Sequence, residues 1–524
     1  MSNVRYFPPY NDPPPKDVTI HSYQQKYQQI SNLGNGSFGT VELAKIKFSK
    51  NELLDSHIDK VGTMMFPLED SKRNNSNFVA IKTMKKKLPH FQDYAKVKEL
   101  CFILTVPSHP CLVQIFEVFI DDTNFQLHIS MEALNQNLYQ LIKSRRNDHF
   151  SSTTLKSILT QLLCAIKHIH KHHYYHRDLK PENILIIPTL HYYGSKDSVP
   201  SYRKHDNFIV KLGDYGLARH ASNLNSYTAY VSTRWYRSPE ILLRQHWYSF
   251  PIDIWAFGAV AAEIVNFTPL FPGANELDQI WKILRVIGSP MIPDSYQLDS
   301  NYVVPIGGIW EESTNLASKL GILLPMEPGF KINEIVQYDS NPLLYEVIRS
   351  CLLWDPNARP DVFDLGEMSY FKESLKLLEK SYAKESNTNI KFNGISNSPS
   401  SRKSATTNVV NTEDDNKTND YFIDGNDNNI KINKNNTEFE NHFSEYLSPD
   451  LNYNSEFLDE VYYEWYNTNK VGGIGSDSIP RSTVNEGNSK KNTNQISDMT
   501  SSDPSSNDIT SKSIVKVFEK KRRR

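Results

Sequence analysis

The chain of 524 residues has only four cysteines, Cys101, Cys111, Cys164 and Cys351, and no two of them form a CxxC pair. That scatter argues against a disulfide framework or a zinc site and fits a reducing compartment. An excess of one charge is lacking too. The formal net charge is −2, so no whole-molecule field draws the protein to nucleic acid or to a membrane. No apolar run approaches the roughly 20 residues that a membrane span needs. The opening "MSNVRYFPPYNDPPP" has no apolar stretch of the kind a secretory signal carries, and no internal repeat is visible. The expectation is a soluble protein of the nucleus and cytoplasm, with neither nucleic acid nor membrane as a partner.

What the chain does contain changes character near residue 385. Beyond it Asn, Ser, Asp, Lys and Thr dominate, as in "SNTNIKFNGISNSPSSRKSATTNVVNTEDDNKTND". Such a composition buries too little apolar surface to offset its ordering entropy, so 386–524 reads as a disordered regulatory tail. Within it, 439–467 is an aromatic and acidic island that could dock on a partner or be a sticky disordered patch, and "KKRRR" at 520–524 is a weak nuclear-import signal. Residues 1–25 are a Pro-rich extension, expected to be extended. Between them, 26–371 has two patterns. "FGTVELAKIK", "NFVAIKTM" and "FQLHISME" alternate as antiparallel strands, with the helix "DYAKVKELCFILTV" before the last of them. Later, Leu155, Ile158, Leu159, Leu162, Leu163, Ile166 and Ile169 follow helical spacing, and 253–265 is apolar nearly all round, as a buried central helix would be. The expected fold is therefore α+β: a small antiparallel-sheet lobe, a larger helical lobe, and a cleft between them. Two polar stretches, 48–77 and 188–207, read as surface insertions.

Chemistry concentrates in five places. Gly34-Asn35-Gly36-Ser37-Phe38-Gly39-Thr40-Val41 is a glycine-rich turn between strands, where backbone N–H groups could approach phosphates, although a plain hairpin turn reads equally well. A dinucleotide fingerprint fits less well, because it needs a helix after the last glycine and "TVELAKIK" reads as a strand. Lys82 ends the strand Val79-Ala80-Ile81-Lys82 and could reach α- and β-phosphates if Glu99, in the following helix, holds it. In "HRDLKPEN", His176 to Asn183, the spacing suits a loop in which Asp178 accepts a hydroxyl proton, Lys180 neutralises a transferring phosphate and Asn183 holds a metal. Asp214-Tyr215-Gly216 supplies a second oxygen ligand, Asp214, and oxygen ligands suit magnesium rather than zinc. Finally, "SYTAYVSTRWYRSPE" sets Thr228 and Tyr230 just ahead of Arg234 and Arg237.

In this order these motifs resemble those of the eukaryotic protein kinases. "TRWYRSPEILL" is typical of the cyclin-dependent and mitogen-activated branch. The Thr-Ala-Tyr triplet, the Asn-rich tail and the insertion after residue 47 are most similar to the male germ cell-associated kinases and the yeast meiosis-inducing kinases. The resemblance implies a bilobal serine/threonine protein kinase that uses ATP and Mg2+ and acts in meiotic, cell-cycle or developmental signalling. It implies nucleotide contacts from Leu33 to Val41 and from Ala80, Lys82 and Glu99, with Met131 at the back of the adenine pocket and Glu132 and Leu134 as hinge. Asp178 and Lys180 would be catalytic, with Asn183 and Asp214 on metal. Thr228 and Tyr230 would be phosphosites served by an upstream activating kinase, and Arg359 would pair with Glu240. The partners expected are protein substrates with proline near the acceptor or arginine three residues before it, with Glu182 reading that arginine. No cyclin is expected, because "YAKVKELCF" does not look like a cyclin-binding helix, and the chain should be a monomer. Tyr215 departs from the usual phenylalanine and Ser238 from the usual alanine. The rival readings are a pseudokinase scaffold, which would lack one of Lys82, Asp178, Asn183 or Asp214, and a small-molecule kinase, which leaves Ser-Pro-Glu unexplained.

Overall fold

The computed structural model describes residues 14–36, 39–49, 52, 61–64, 77–146, 148–223, 234–293, 303–339 and 341–392. The expectations for Ser37, Phe38, Thr228, Tyr230 and the tail beyond 392 lie outside these residues. The smaller lobe is built from β1 (Thr19–His21), β2 (Tyr27–Asn35), β3 (Gly39–Ile46), β4 (Phe78–Met84), β5 (Ile115–Asp121) and β6 (Leu127–Glu132). They form one sheet in the order β1-β5-β6-β4-β3-β2. Every pair is antiparallel except β1 with β5.

β1 comes from the stretch read as an extension, so the sheet starts before residue 26. With β1 on one side and β6 on the other, β5 is buried along its whole length. That burial includes Glu117, which accepts hydrogen bonds from Lys26 and Tyr27 and lies 3.3 Å from His21 Nε2. Burial alone would raise the Glu117 pKa, but the His21 hydrogen bond and the Lys26 charge bring it down to about 2. The N-terminal segment is thus fastened to the sheet by a buried carboxylate.

The larger lobe is helical. Ser151 caps the Ser152–Lys171 helix by accepting from Thr154 N, and the seven apolar positions of its periodic face are all buried. The Pro251–Asn266 helix is buried from Ile252 to Val265, as its lack of a polar face requires. No helix among the described residues is long and apolar enough to cross a membrane.

Both stretches read as surface insertions differ from that reading. In 188–207, Tyr192, Tyr193 and Val199 pack with Ile187 and Ile209 into a small core of their own, and Arg203 is fully buried. Its guanidinium donates to Gln161 Oε1 at 2.8 Å, Asp206 Oδ2 at 3.1 Å and Tyr382 Oη at 2.6 Å. In 48–77, Gly62–Met64 form a buried turn. The polar composition of both stretches hid a few residues whose partners are distant in sequence. The last described helix, Lys372–Phe392, continues past 371 and 386 and buries Leu375, Leu378 and Tyr382 against the main core.

Candidate active site

The glycine-rich hairpin joins β2 to β3, with Gly34 opposite Val41 and Asn35 opposite Thr40. Gly36 N donates to Gly39 O at 2.9 Å and closes its described part. At Gly39 a Cβ would stand 2.5 Å from Thr83 O, so only glycine lets β3 lie this close to β4. Lys82, on β4, faces the cleft and is buried. Its Nζ donates to Glu99 Oε1 and to Asp214 Oδ1, each at 2.8 Å. Burial would lower the Lys82 pKa, yet Glu99 and Asp214 together raise it above the ordinary lysine range. For Asp214 burial raises the pKa, and Lys82 outweighs it and holds the carboxyl at about 2. Glu99 is raised, first by burial and then by Asp214, against the pull of Lys82. Its Oε2 is buried with no hydrogen-bond partner among the described residues. A Cβ on Gly216 would sit 3.3 Å from Asp214 Oδ1, 3.5 Å from Glu99 Oε2 and 3.6 Å from Lys82 Nζ. This glycine keeps open the space that the three charged groups border.

Asp214 takes a left-handed backbone, φ 57°, a conformation non-glycine residues adopt rarely and mostly at functional turns. The next ring, Tyr215, is buried and stacks on Phe102 with centroids 4.2 Å apart. Its hydroxyl donates to Leu212 O at 2.9 Å. Phe102 belongs to the Lys98–Thr105 helix that carries Glu99, so the Asp214 turn and the helix are packed as one unit.

The "HRDLKPEN" loop folds onto the same cleft. Lys180 Nζ donates to Asp178 Oδ2 at 2.8 Å, and Asn183 Nδ2 donates to Asp178 O at 2.7 Å and Oδ2 at 3.0 Å. His176 is fully buried and bridges Gly213 O at 2.9 Å and Asp178 N at 3.3 Å, tying this loop to the Asp214 turn. The structure therefore brings together Lys82, Glu99 and Asp214 as one set and Asp178, Lys180 and Asn183 as another. The Glu132 side chain is held inside the protein. Its carboxylate accepts from fully buried Lys211 and from Gln114 N, both at 2.7 Å, and its own N–H donates to Gln114 O at 2.9 Å.

Three features were missed in the sequence. Asp253, buried at the start of the central helix, accepts from His176 N at 2.7 Å, Arg177 N at 2.9 Å and His170 Nε2 at 2.9 Å. Its signal was visible as an acid opening a helix that is apolar over the nine residues that follow it. Glu263, late in the same helix, accepts from Tyr236 Oη at 2.7 Å. Burial raises its pKa to about 7 against the Tyr236 hydrogen bond, with Glu182 adding to the rise. Lastly Cys164 meets His109 and Cys111 from much earlier in the chain, with the three ligand atoms within 4.8 Å of one another. Cys111 N donates to His109 Nδ1 at 3.1 Å, so the remaining ring nitrogen carries the proton, 3.8 Å from Cys164 Sγ.

At the end of the activation segment, Arg359 Nη1 and Nη2 donate to the two carboxylate oxygens of Glu240 at 2.7 and 2.8 Å, fully buried. Adjacent Ser238 is fully buried, and its hydroxyl has no hydrogen-bond partner among the described residues. Burial lowers the Lys98 pKa, and the charges of Arg177 and Arg219 lower it further, which marks a cluster of three cations drawn from three elements.

A sequence model of the protein kinase domain matches residues 68–371. The match begins after the glycine-rich hairpin, inside the insertion that separates β3 from β4. The chain is 42% identical over 497 residues to the meiosis induction protein kinase IME2/SME1 of Saccharomyces cerevisiae, covering 91% of this chain and 74% of that one. It is 35% identical to the sporulation protein kinase mde3 of Schizosaccharomyces pombe, over 66% of this chain and 54% of that one. It is 32% identical to the serine/threonine-protein kinase MAK of Homo sapiens, over 66% of this chain and 45% of that one. The chain thus spans about half the length of the last two.

Proposed function

That the chain belongs to the protein kinase family, and is an ATP-dependent serine/threonine kinase, is the premise from which we propose how its residues work. The carrying observation is the Lys82–Glu99–Asp214 set and the Asp178–Lys180–Asn183 set, tied together where Gly213 N donates to Asn183 O at 3.0 Å and His176 Nε2 lies 2.9 Å from Gly213 O. Oxygen donors alone, from Asp214 and Asn183, fit a hard cation such as Mg2+, and an Asp214 pKa of about 2 keeps that ligand ionised. Magnesium bound there would neutralise charge on the nucleotide phosphates. Lys82, oriented by Glu99, binds α- and β-phosphate oxygens under the hairpin of Leu33 to Val41. Met131, Ala80, Glu132 and Leu134 border the adenine. Asp178 takes the proton from the substrate hydroxyl, and Lys180, 2.8 Å away, offsets the charge that gathers during transfer. Exchanging Lys82→Arg or Asp178→Asn is expected to cut turnover about a hundredfold or more with the fold retained. Near-normal turnover by either folded variant would sink the assignment.

Substrate choice follows from two nearby features. Glu182 Oε2 is buried without a partner among the described residues, and Glu263 is held partly protonated beside it. Two acids so placed favour an arginine on the substrate, three residues before the acceptor. A small cavity lined by Asp178, Tyr236, Arg237 and Ile241 suits a proline after it. The cluster of Lys98, Arg177 and Arg219 is the proposed seat for a phosphate on Thr228, and Arg234 or Arg237 would hold one on Tyr230. Fully active protein with neither residue phosphorylated, shown by mass spectrometry, would contradict that regulation. By likeness to the relatives named for meiosis and sporulation, the proposed setting is meiotic or developmental signalling in the nucleus and cytoplasm. An upstream kinase is proposed as activator, and a monomer without cyclin as the working form.

A further inference from the structure

The Lys98–Thr105 helix places Glu99 and Phe102 on one face, three residues apart. Anything that fixes the far end of this short helix therefore fixes both the Lys82 partner and the ring that stacks on Tyr215. That end leaves a buried carbonyl that the helix itself does not satisfy. The carbonyl of Ile103 would ordinarily accept from the residue four positions on, which is Pro107 and has no N–H.

The structure supplies the missing donor from the insertion between β3 and β4. Thr63 Oγ1 donates to Ile103 O at 3.1 Å, in a buried setting. The turn that presents Thr63 lies flush against the helix backbone. Gly62 has φ +59°, and a Cβ there would fall 1.9 Å from Ile103 O and 2.6 Å from Leu104 C. Met64, fully buried, joins the core that holds Phe102 and Ile103. The turn is held from its other side by Gln114, whose Nε2 donates to Thr63 O and to Ile115 O, both at 2.8 Å. Gln114 N in turn donates to Glu132 Oε1 at 2.7 Å. The turn thus joins the helix end to the segment leading into the adenine hinge.

We propose that Gly62, Thr63 and Met64 are positioning residues for phosphoryl transfer, a clamp within the chain that holds the Glu99 helix in register with Lys82. The proposal rests on the role assigned above to the Lys82–Glu99 pair. A merely structural turn would add stability and leave the state of Lys82 alone. A clamp sets how closely Glu99 approaches Lys82, and hence the turnover of protein that is already folded.

The test uses the full chain. Thr63→Val removes the hydrogen bond and keeps the shape, Thr63→Ser restores the hydroxyl, and Gly62→Ala forces the turn off the helix. One hydrogen bond of ordinary strength corresponds to about fivefold in rate. Turnover is expected to fall about fivefold in Thr63→Val and about tenfold or more in Gly62→Ala, and to return in Thr63→Ser. The Michaelis constant for a peptide substrate should be unchanged. Thermal midpoints measured alongside should show Thr63→Val and Thr63→Ser folded at the assay temperature. Should Gly62→Ala not fold, the Thr63→Val and Thr63→Ser pair decides. Wild-type turnover in Thr63→Val, alongside an inactive Lys82→Arg control, would overturn the clamp alone. A fully active Lys82→Arg control would overturn the role of the pair and the clamp with it.

Discussion

At the scale of single residues, burial gives ordinary side chains unusual duties. Tyr215 keeps the ring that the family pattern calls for, and its added hydroxyl is not left idle: it donates to Leu212 O. The departure from phenylalanine thus costs no buried hydrogen bond. Glu263 offers the sharper consequence. Its pKa rises from 4.5 to about 7 because it is buried, with Tyr236 pulling down and Glu182 pushing up. In the unfolded chain it would be ionised above 4.5, whereas the folded protein keeps its proton until about 7. Unfolding in that window releases a proton, so this residue's contribution to stability falls as pH rises from 4.5 to 7 and is level above. The fall amounts to about 3 kcal/mol. In Glu263→Gln the thermal midpoint should lose that part of its pH dependence, and the Michaelis constant for an arginine-bearing peptide should no longer rise below pH 7. Equal slopes for wild type and variant would refute the link.

At the scale of elements, the catalytic loop is held by a helix behind it. Arg177 has a left-handed backbone, φ 70°, and that turn is stabilised by Asp253, whose two oxygens accept from His176 N and Arg177 N. Burial alone would raise the Asp253 pKa, but the hydrogen bond from His170 brings it below the ordinary value. Asp253→Asn keeps the size and turns one acceptor into a donor facing N–H groups. We expect a loss of about 2–4 kcal/mol in denaturant unfolding. Turnover should fall as well, because Asp178 follows Arg177 directly. Unchanged stability would show that the loop holds its turn without this carboxylate. The helix itself was readable from its apolar run. The duty of Asp253 was not, because the donors come from residues about 80 positions earlier.

At the scale of the whole molecule, the lobes, the cleft and the order of the motifs follow from local pattern. Period-2 alternation marked β3, β4 and β6, helical spacing marked the Ser152–Lys171 helix, and fixed short spacings marked the catalytic loop. The ends of the folded body were harder to read, because both are defined by what they pack against. Leu375, Leu378 and Tyr382 are buried, and Tyr382 receives the fully buried Arg203 guanidinium at 2.6 Å. Ending the chain after Phe371 should therefore cost several kcal/mol, at about 1.5–3 kcal/mol for each large apolar side chain exposed. Ending it after Phe392 should leave both thermal midpoint and turnover near those of the full chain. Equal midpoints for the two truncations would show that the helix adds nothing. The sequence by itself determined which residues could do phosphoryl transfer and in what order they come, since those spacings are short and the loops that carry them are local. Only the tertiary structure decided that Gly62–Met64 close the Glu99 helix, that Arg203 reaches Tyr382, and that Asp253 holds Arg177. Each of these joins a buried polar group to a partner that must be found across the fold, because leaving it unpaired costs more than ordering the chain to meet it.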